Sequence, residues 1–154
     1  MSDDVLSVIP TDPRWQPDRG AAEAATAIVT GLVPDPDGVT VEIKTSWHDV
    51  VTLVDCGENL ERIGCPACGT DADLEWFVDL MEERYETGFD DMSTRMSCCG
   101  AESSLDRLEF EWPCGFARFE IEVWNPPLIW FAEEDLARIA AALGHEVRQI
   151  RAHI

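Results

Sequence analysis

The chain has 154 residues, a length typical of one domain, and 45% of them are hydrophobic, which supports a packed core and excludes a disordered chain. Acidic residues outnumber basic ones by 31 to 11, and the net charge of −20 repels phosphate groups and anionic lipids. We therefore expect neither a nucleic acid nor a membrane as a partner. An acidic N-terminus and the lack of a long apolar run indicate a cytoplasmic protein.

The first third of the chain predicts a strand, a helix and two further strands. Val5–Ile9 is a short apolar strand, and Asp18 is the predicted N-cap of an alanine-rich helix over residues 19–33. Strict alternation of apolar and polar residues then predicts a half-buried strand at 39–45. A second short apolar strand is expected at 50–54.

The C-terminal third predicts a hairpin, a helix and a last strand. Apolar and polar residues alternate over 108–112 and again over 117–123, on either side of a Pro-Cys-Gly turn. A helix is expected at 132–143, with acidic residues in its first turn and Gly144 at its end. The last strand is expected at 146–152.

These elements predict an α+β fold. If residues 46–107 are set aside, the order is strand, helix, strand, strand, helix, strand, which is the ferredoxin-like βαββαβ arrangement of an antiparallel sheet with two helices on one face. We therefore expect a single domain, 1–154, with residues 46–107 as an insertion between its second and third core strands. The strand at 108–112 would extend the sheet or link it to the insertion.

Two cysteine motifs in the predicted insertion indicate a metal site. In GCPACG, a proline pre-sets the C-x-x-C turn and a glycine after it lets amide groups face the sulfurs, as in zinc ribbons and rubredoxin-type sites. In MSCCG, methionine replaces the first cysteine of a second such turn, and Cys98 is expected to supply that ligand. We predict a structural zinc site, with iron as the competing metal. Its four ligands are Cys65, Cys68, Cys98 and Cys99.

Other residues compete for a place in this site. Cys56 is the main substitute for Cys98 or Cys99, and His48 is a weaker candidate. Cys114 is expected to be a thiol outside the site. The 29 residues between Cys68 and Cys98 leave room for a helix, which the sequence predicts from a capping sequence at 70–73 to a stop at Gly88.

A thiol-redox site at Cys65 and Cys68 is an alternative use of the first motif. Redox C-x-x-C motifs open a helix directly after a core strand, whereas a glycine and several acids follow Cys68. Those acids are expected to raise a thiol pKa and to oppose a reactive thiolate. The chain also contains no phosphate-binding loop, no dinucleotide fingerprint and no nucleophile elbow, so the sequence gives no positive sign of an enzyme.

The acidic residues are concentrated around the cysteine motifs. Residues 55–91 hold twelve acids and two arginines, which is −10 of the net −20. This charge has two interpretations, a generally solvated surface or a docking face for a basic partner. We predict a non-enzymatic protein that binds another protein through this face, for example an immunity or inhibitor protein that neutralises a basic nuclease.

Several stretches of the chain resemble a group of small, acidic bacterial zinc-knuckle proteins of unknown function. The resemblance covers the whole chain and rests on SVIPTDPRWQP, VDCGENLERIGCPACG, SCCG, WPCGFARFEIEVWNP and LGHEVRQIRAHI. Some members of that group carry a transporter-ATPase label. The phosphate-binding loop that such an activity needs is missing here, so the label does not apply to this chain.

Overall fold

The computed structural model describes residues 3–33, 41–54, 60–111 and 114–153, and every statement on structure refers to these residues. The helices are α1 (Arg19–Leu32), α2 (Leu74–Arg84) and α3 (Glu133–Leu143). The strands are β1 (Asp4–Pro10), β2 (Glu42–Val54), β3 (Arg62–Gly64), β4 (Ser93–Arg95), β5 (Glu102–Ser104), β6 (Glu109–Glu111), β7 (Gly115–Trp124) and β8 (Val147–His153). The predicted α+β class is confirmed.

The four long strands form one antiparallel sheet in the order β2-β7-β1-β8. β1 lies between β7 and β8 and pairs antiparallel with both, and β7 pairs antiparallel with β2. Val8 of β1 is opposite Ile121 of β7, and Thr45 of β2 is opposite Ile121 on the other side. Side chains in register therefore share a face of the sheet across three strands.

Helices α1 and α3 cover one face of this sheet. Alternate residues of the strands point toward them, and the side chains of Leu6, Phe119 and Ile121 are completely buried there. Asp18 caps α1 by accepting a hydrogen bond from the Ala21 amide at 2.7 Å, and Gly144 ends α3 in the left-handed conformation. Both ends agree with the sequence prediction.

The two strands predicted at 39–45 and 50–54 are one strand, β2. Its pairing with β7 shifts register between Trp47 and Thr52, and the chain then continues in the same direction to Val54. The polar stretch between the two predicted strands is therefore an irregularity within β2. The predicted start of the insertion at residue 46 falls inside this strand, and the predicted residues 39–40 lie outside the described part of the chain.

Residues 60–111, called here the cysteine segment, lie between β2 and β7 in the sequence and build a second core. This core contains Ile63, Phe77, Met81 and Met96 and extends onto Val51 of β2. Two short antiparallel strand pairs, β3 with β6 and β4 with β5, frame it together with α2. Within the described residues, no helix is long and apolar enough to cross a membrane.

The hairpin predicted between residues 108–112 and 117–123 is wrong. β6 pairs with β3, where Phe110 is opposite Ile63, while β7 has β1 and β2 as its neighbours in the sheet. The Phe110 ring lies edge-on to Phe77 with their centroids 5.5 Å apart. Packing against α2 therefore decides the pairing of β6, and this strand belongs to the cysteine segment.

Candidate metal centre

The four predicted cysteines meet at one point in the structure. The sulfur atoms of Cys65, Cys68, Cys98 and Cys99 all lie within 4.8 Å of one another. Four sulfurs bound at about 2.3 Å to a tetrahedral zinc ion are about 3.8 Å apart. The observed distances are 3.8 Å between the Cys65 and Cys99 sulfurs and 3.4 Å between those of Cys68 and Cys98. The cluster therefore has the chemistry and the spacing of a metal site.

The first pair of cysteines lies on a tight turn that follows β3. The Cys65 carbonyl accepts a hydrogen bond from the Gly69 amide at 2.9 Å, and the Cys65 amide donates to the Thr70 carbonyl at 2.9 Å. Gly69 has a φ of 76°, a conformation that favours glycine. The turn brings Cys65 and Cys68 to the same side, as the C-x-x-C-G motif predicts.

The second pair lies on a turn of the same construction between β4 and β5. The Met96 carbonyl accepts from the Gly100 amide at 2.8 Å, the Met96 amide donates to the Ala101 carbonyl at 2.9 Å, and Gly100 has a φ of 73°. Met96 thus occupies the position that Cys65 has in the first turn, and Cys99 matches Cys68. Cys98 has no cysteine counterpart in the first turn, where Ala67 stands at that position.

Met96 explains why the second turn uses adjacent cysteines. Its side chain is 1% exposed and packs in the core of the cysteine segment. Because a thioether at this position fills the core, the fourth thiol comes from Cys98, two residues further along the turn. This replacement agrees with the sequence prediction, and the Cys98 sulfur lies 3.4 Å from that of Cys68.

The thiols differ in acidity in the metal-free protein. Hydrogen bonds from Thr70, whose hydroxyl oxygen lies 2.9 Å from the Cys68 sulfur, lower the pKa of Cys68 to about 6. Loss of hydration beside the neighbouring sulfurs, together with donation of its proton toward Cys68, raises the pKa of Cys98 to about 12. The pKa of Cys68 is therefore lowered, chiefly by Thr70, instead of being raised by nearby acids as the sequence predicted.

Two other residues, Cys114 and His48, lie away from the cluster. Cys114 is buried away from the cluster, and its sulfur lies 3.6 Å from the Val54 carbonyl oxygen. His48 is also elsewhere, since its Nε2 lies 2.9 Å from Glu120 Oε2. Cys56 lies outside the described residues.

Two carboxylates on β7 were not predicted as functional candidates from the sequence, where they formed the polar side of the expected hairpin. Glu120 and Glu122 lie on the sheet face opposite the helices, and Glu120 is only 9% exposed. Burial, with the nearby negative charge of Glu120, raises the pKa of Glu122 to about 7. The signal available in the sequence was the pair of glutamates at i and i+2 in a strand whose other face is fully apolar.

Comparison of the chain with protein-family models, with curated proteins and with solved structures found no match. Four thiols around one point leave no coordination position for a substrate, which is typical of structural zinc sites and unlike catalytic ones.

Proposed function

We propose that the protein is a non-enzymatic zinc-binding protein whose four-cysteine site has a structural role. The observation that supports this is the convergence of Cys65, Cys68, Cys98 and Cys99, whose sulfur atoms all lie within 4.8 Å of one another. Sulfur-only ligation favours zinc, with iron as the competitor. When bound, the ion would hold the four thiolates together and carry out no reaction.

The cysteine segment needs such a cross-link because its secondary structure is sparse. Each of its four strands has three residues, and α2 has eleven. A small core of this kind gains stability from a metal ion that binds the folded state alone. The ion would join the turn after β3 to the turn between β4 and β5, which are separated by α2.

We further propose that the protein binds another protein through its acidic surface. Residues 71–91 carry nine acidic side chains, all of them exposed, and a single arginine. A basic protein would be attracted to this surface, and an immunity or inhibitor protein acting on a basic nuclease in the cytoplasm is one concrete form. The same charge disfavours nucleic acid and membrane as partners.

The fold assignment is part of the same proposal. We infer a ferredoxin-like βαββαβ core with the zinc-binding segment inserted between its second and third strands. The antiparallel order β2-β7-β1-β8 and the packing of α1 against α3 on one face support this assignment. We also propose kinship with the small acidic bacterial zinc-knuckle proteins.

The acidity of Cys68 favours a second candidate, a thiol-redox or small-molecule enzyme that uses Cys65 and Cys68. A pKa of about 6 would make Cys68 a thiolate at neutral pH. Two features oppose this candidate: Cys65 is 1% exposed, and the motif lies in a turn between extended segments instead of at the start of a helix. This candidate predicts no tightly bound metal and rapid alkylation of Cys68.

The metal content of purified single variants tests the proposal. We expect about one equivalent of zinc in the wild type and a loss of it in Cys65→Ser, Cys68→Ser, Cys98→Ser and Cys99→Ser. Cys114→Ser is the matched control, because it removes a thiol away from the cluster, and it should keep the metal. A wild type without metal, or a variant Cys56→Ser that loses zinc while Cys98→Ser retains it, would overturn the ligand set.

A further inference from the structure

Exposed apolar side chains are concentrated on α2. Five large hydrophobic residues are exposed in the described part of the chain, and three of them are Leu74, Val78 and Tyr85. Tyr85, directly after the last residue of α2, is 80% exposed. Large apolar side chains gathered on one surface commonly mark an interaction site.

The spacing of these residues fits a helical partner. With Met81, which lies at the edge of the core, they occupy positions 74, 78, 81 and 85, a 4-3-4 spacing. This is the spacing of the seam along which two helices pack in a coiled coil. The row is about 16 Å long at 1.5 Å per residue, or three helical turns. We call these four residues the α2 seam.

A groove lies at the C-terminal end of the α2 seam. Met81 and Tyr85 form one wall, and Val51, Leu53 and Phe89 contribute to the rest of the lining. Its volume of about 250 Å³ suits one large side chain inserted from above. Binding energy at helical interfaces is concentrated where such an anchor residue enters a pocket.

A row of acidic residues runs beside the seam. Glu75, Asp79, Glu82 and Glu86 have the same 4-3-4 spacing, displaced by one residue, and all four are exposed. The one arginine of α2, Arg84, donates hydrogen bonds to the backbone carbonyls of Asp91 and Ser93, at 3.1 Å and 2.9 Å. A second copy of the chain would bring two such acidic rows together, so self-association is disfavoured.

From this arrangement we infer that the α2 seam docks a basic amphipathic helix of a partner protein. Its apolar residues lie along the seam, its anchor side chain enters the groove, and its lysines or arginines face the acidic row. This inference rests on the proposed acidic interaction surface and assigns it a location and a class of ligand.

A labelled synthetic helical peptide tests the inference. The probe has leucines in a 4-3-4 spacing flanked by lysines, and the matched peptide has glutamates in place of the lysines. Binding to the zinc-loaded protein is followed by fluorescence anisotropy. We expect the basic peptide alone to bind, and Val78→Ser and Tyr85→Ser each to weaken it about tenfold. Ile129→Ser, which alters a residue before α3 whose exposure of 63% lies between those of Val78 and Tyr85, should leave the affinity unchanged.

Three other outcomes would overturn the inference. If the basic peptide binds wild type, Val78→Ser and Tyr85→Ser equally and is released by salt, the acidic surface stands and the seam is refuted. If the basic peptide does not bind at all, both the seam and the proposed acidic interaction fail. A wild-type dimer in sedimentation that Val78→Ser converts to a monomer would assign the seam to a second copy and overturn the inference. Unchanged zinc content verifies that each variant is folded.

Discussion

At the scale of single residues, Met96 and Cys98 account for the unusual form of the second cysteine turn. The two turns share their backbone hydrogen bonds and a left-handed glycine, and they differ in what stands at the first position. Cysteine motifs alone predicted the four thiols, because their spacing is a local property. The burial of Met96 depends on the core of the cysteine segment and required the structure.

Because Met96 occupies the position in the second turn that Cys65 has in the first, a cysteine at position 96 should restore metal binding to a variant that lacks Cys98. Cys98→Ser should lose the metal, and the double variant Met96→Cys/Cys98→Ser should regain it, because it restores a standard C-x-x-C turn. Replacing the larger methionine leaves a cavity that lowers the free energy of unfolding by about 2 kcal/mol. Zinc content and thermal unfolding measure both effects. A double variant that folds but stays free of metal would show that positions 65 and 96 are not equivalent.

Glu122 predicts a pH effect on stability. Its pKa rises from 4.5 to about 7 on folding because of burial and the proximity of Glu120, while Lys44 on β2 opposes the shift. As the pH rises, the Glu122 carboxyl ionises in the unfolded chain before it does in the folded protein. The free energy of unfolding is therefore highest below pH 4.5 and falls as the pH rises to about 7.

The variant Glu122→Gln removes this dependence. We expect its free energy of unfolding to match the wild type near pH 4 and to exceed it at pH 8, as measured by urea titration. Glu82→Gln, at an exposed acid of α2, reports the effect of removing one surface charge. An equal advantage of Glu122→Gln at both pH values would contradict the assignment.

At the scale of secondary structure, local patterns predicted most elements but not all their pairings. Asp18 and Gly144 marked the helix ends correctly, because caps depend on residues close in sequence. The predicted hairpin of β6 and β7 was wrong, because proximity in sequence favoured it while Phe110 packs, partly buried, against Phe77, 33 residues earlier in the chain. No local signal carries that distant contact.

Two glycines give opposite predictions at this scale. Gly88 has a φ of 83°, and an added Cβ would lie 2.5 Å from Val50 Cγ2, so Gly88→Ala should destabilise the protein by about 2 kcal/mol or more. Gly31 lies in α1 with open space around it, so Gly31→Ala should stabilise by about 0.5–1 kcal/mol. Thermal unfolding compares the two variants. A stable Gly88→Ala would contradict the close approach of β2 to the end of α2.

At the scale of the whole molecule, two cores differ in what stabilises them. The sheet and its two helices bury a continuous apolar cluster, whereas the core of the cysteine segment is enclosed by one helix and three-residue strands and relies on the proposed metal. The α+β class, with an antiparallel sheet, followed from the predicted elements. The exact extent of the cysteine segment did not, because β2 continues through a register shift that the sequence pattern does not reveal.

Removal of the metal should therefore act locally. With a chelator present, we expect amide hydrogen exchange to rise in residues 60–111, while β1, β7 and β8 stay protected. Addition of zinc should restore the protection. A uniform rise across the sheet, or no change in the cysteine segment, would mean that the metal does not support this part of the fold.

X-ray absorption at the zinc edge tests whether the proposed zinc site is closed by four thiolates. For the purified wild-type protein, we expect four sulfur neighbours at about 2.3 Å and no oxygen or nitrogen ligand. A shell containing oxygen or nitrogen, or fewer than four sulfurs, would contradict the closed site and with it the structural role proposed for the metal.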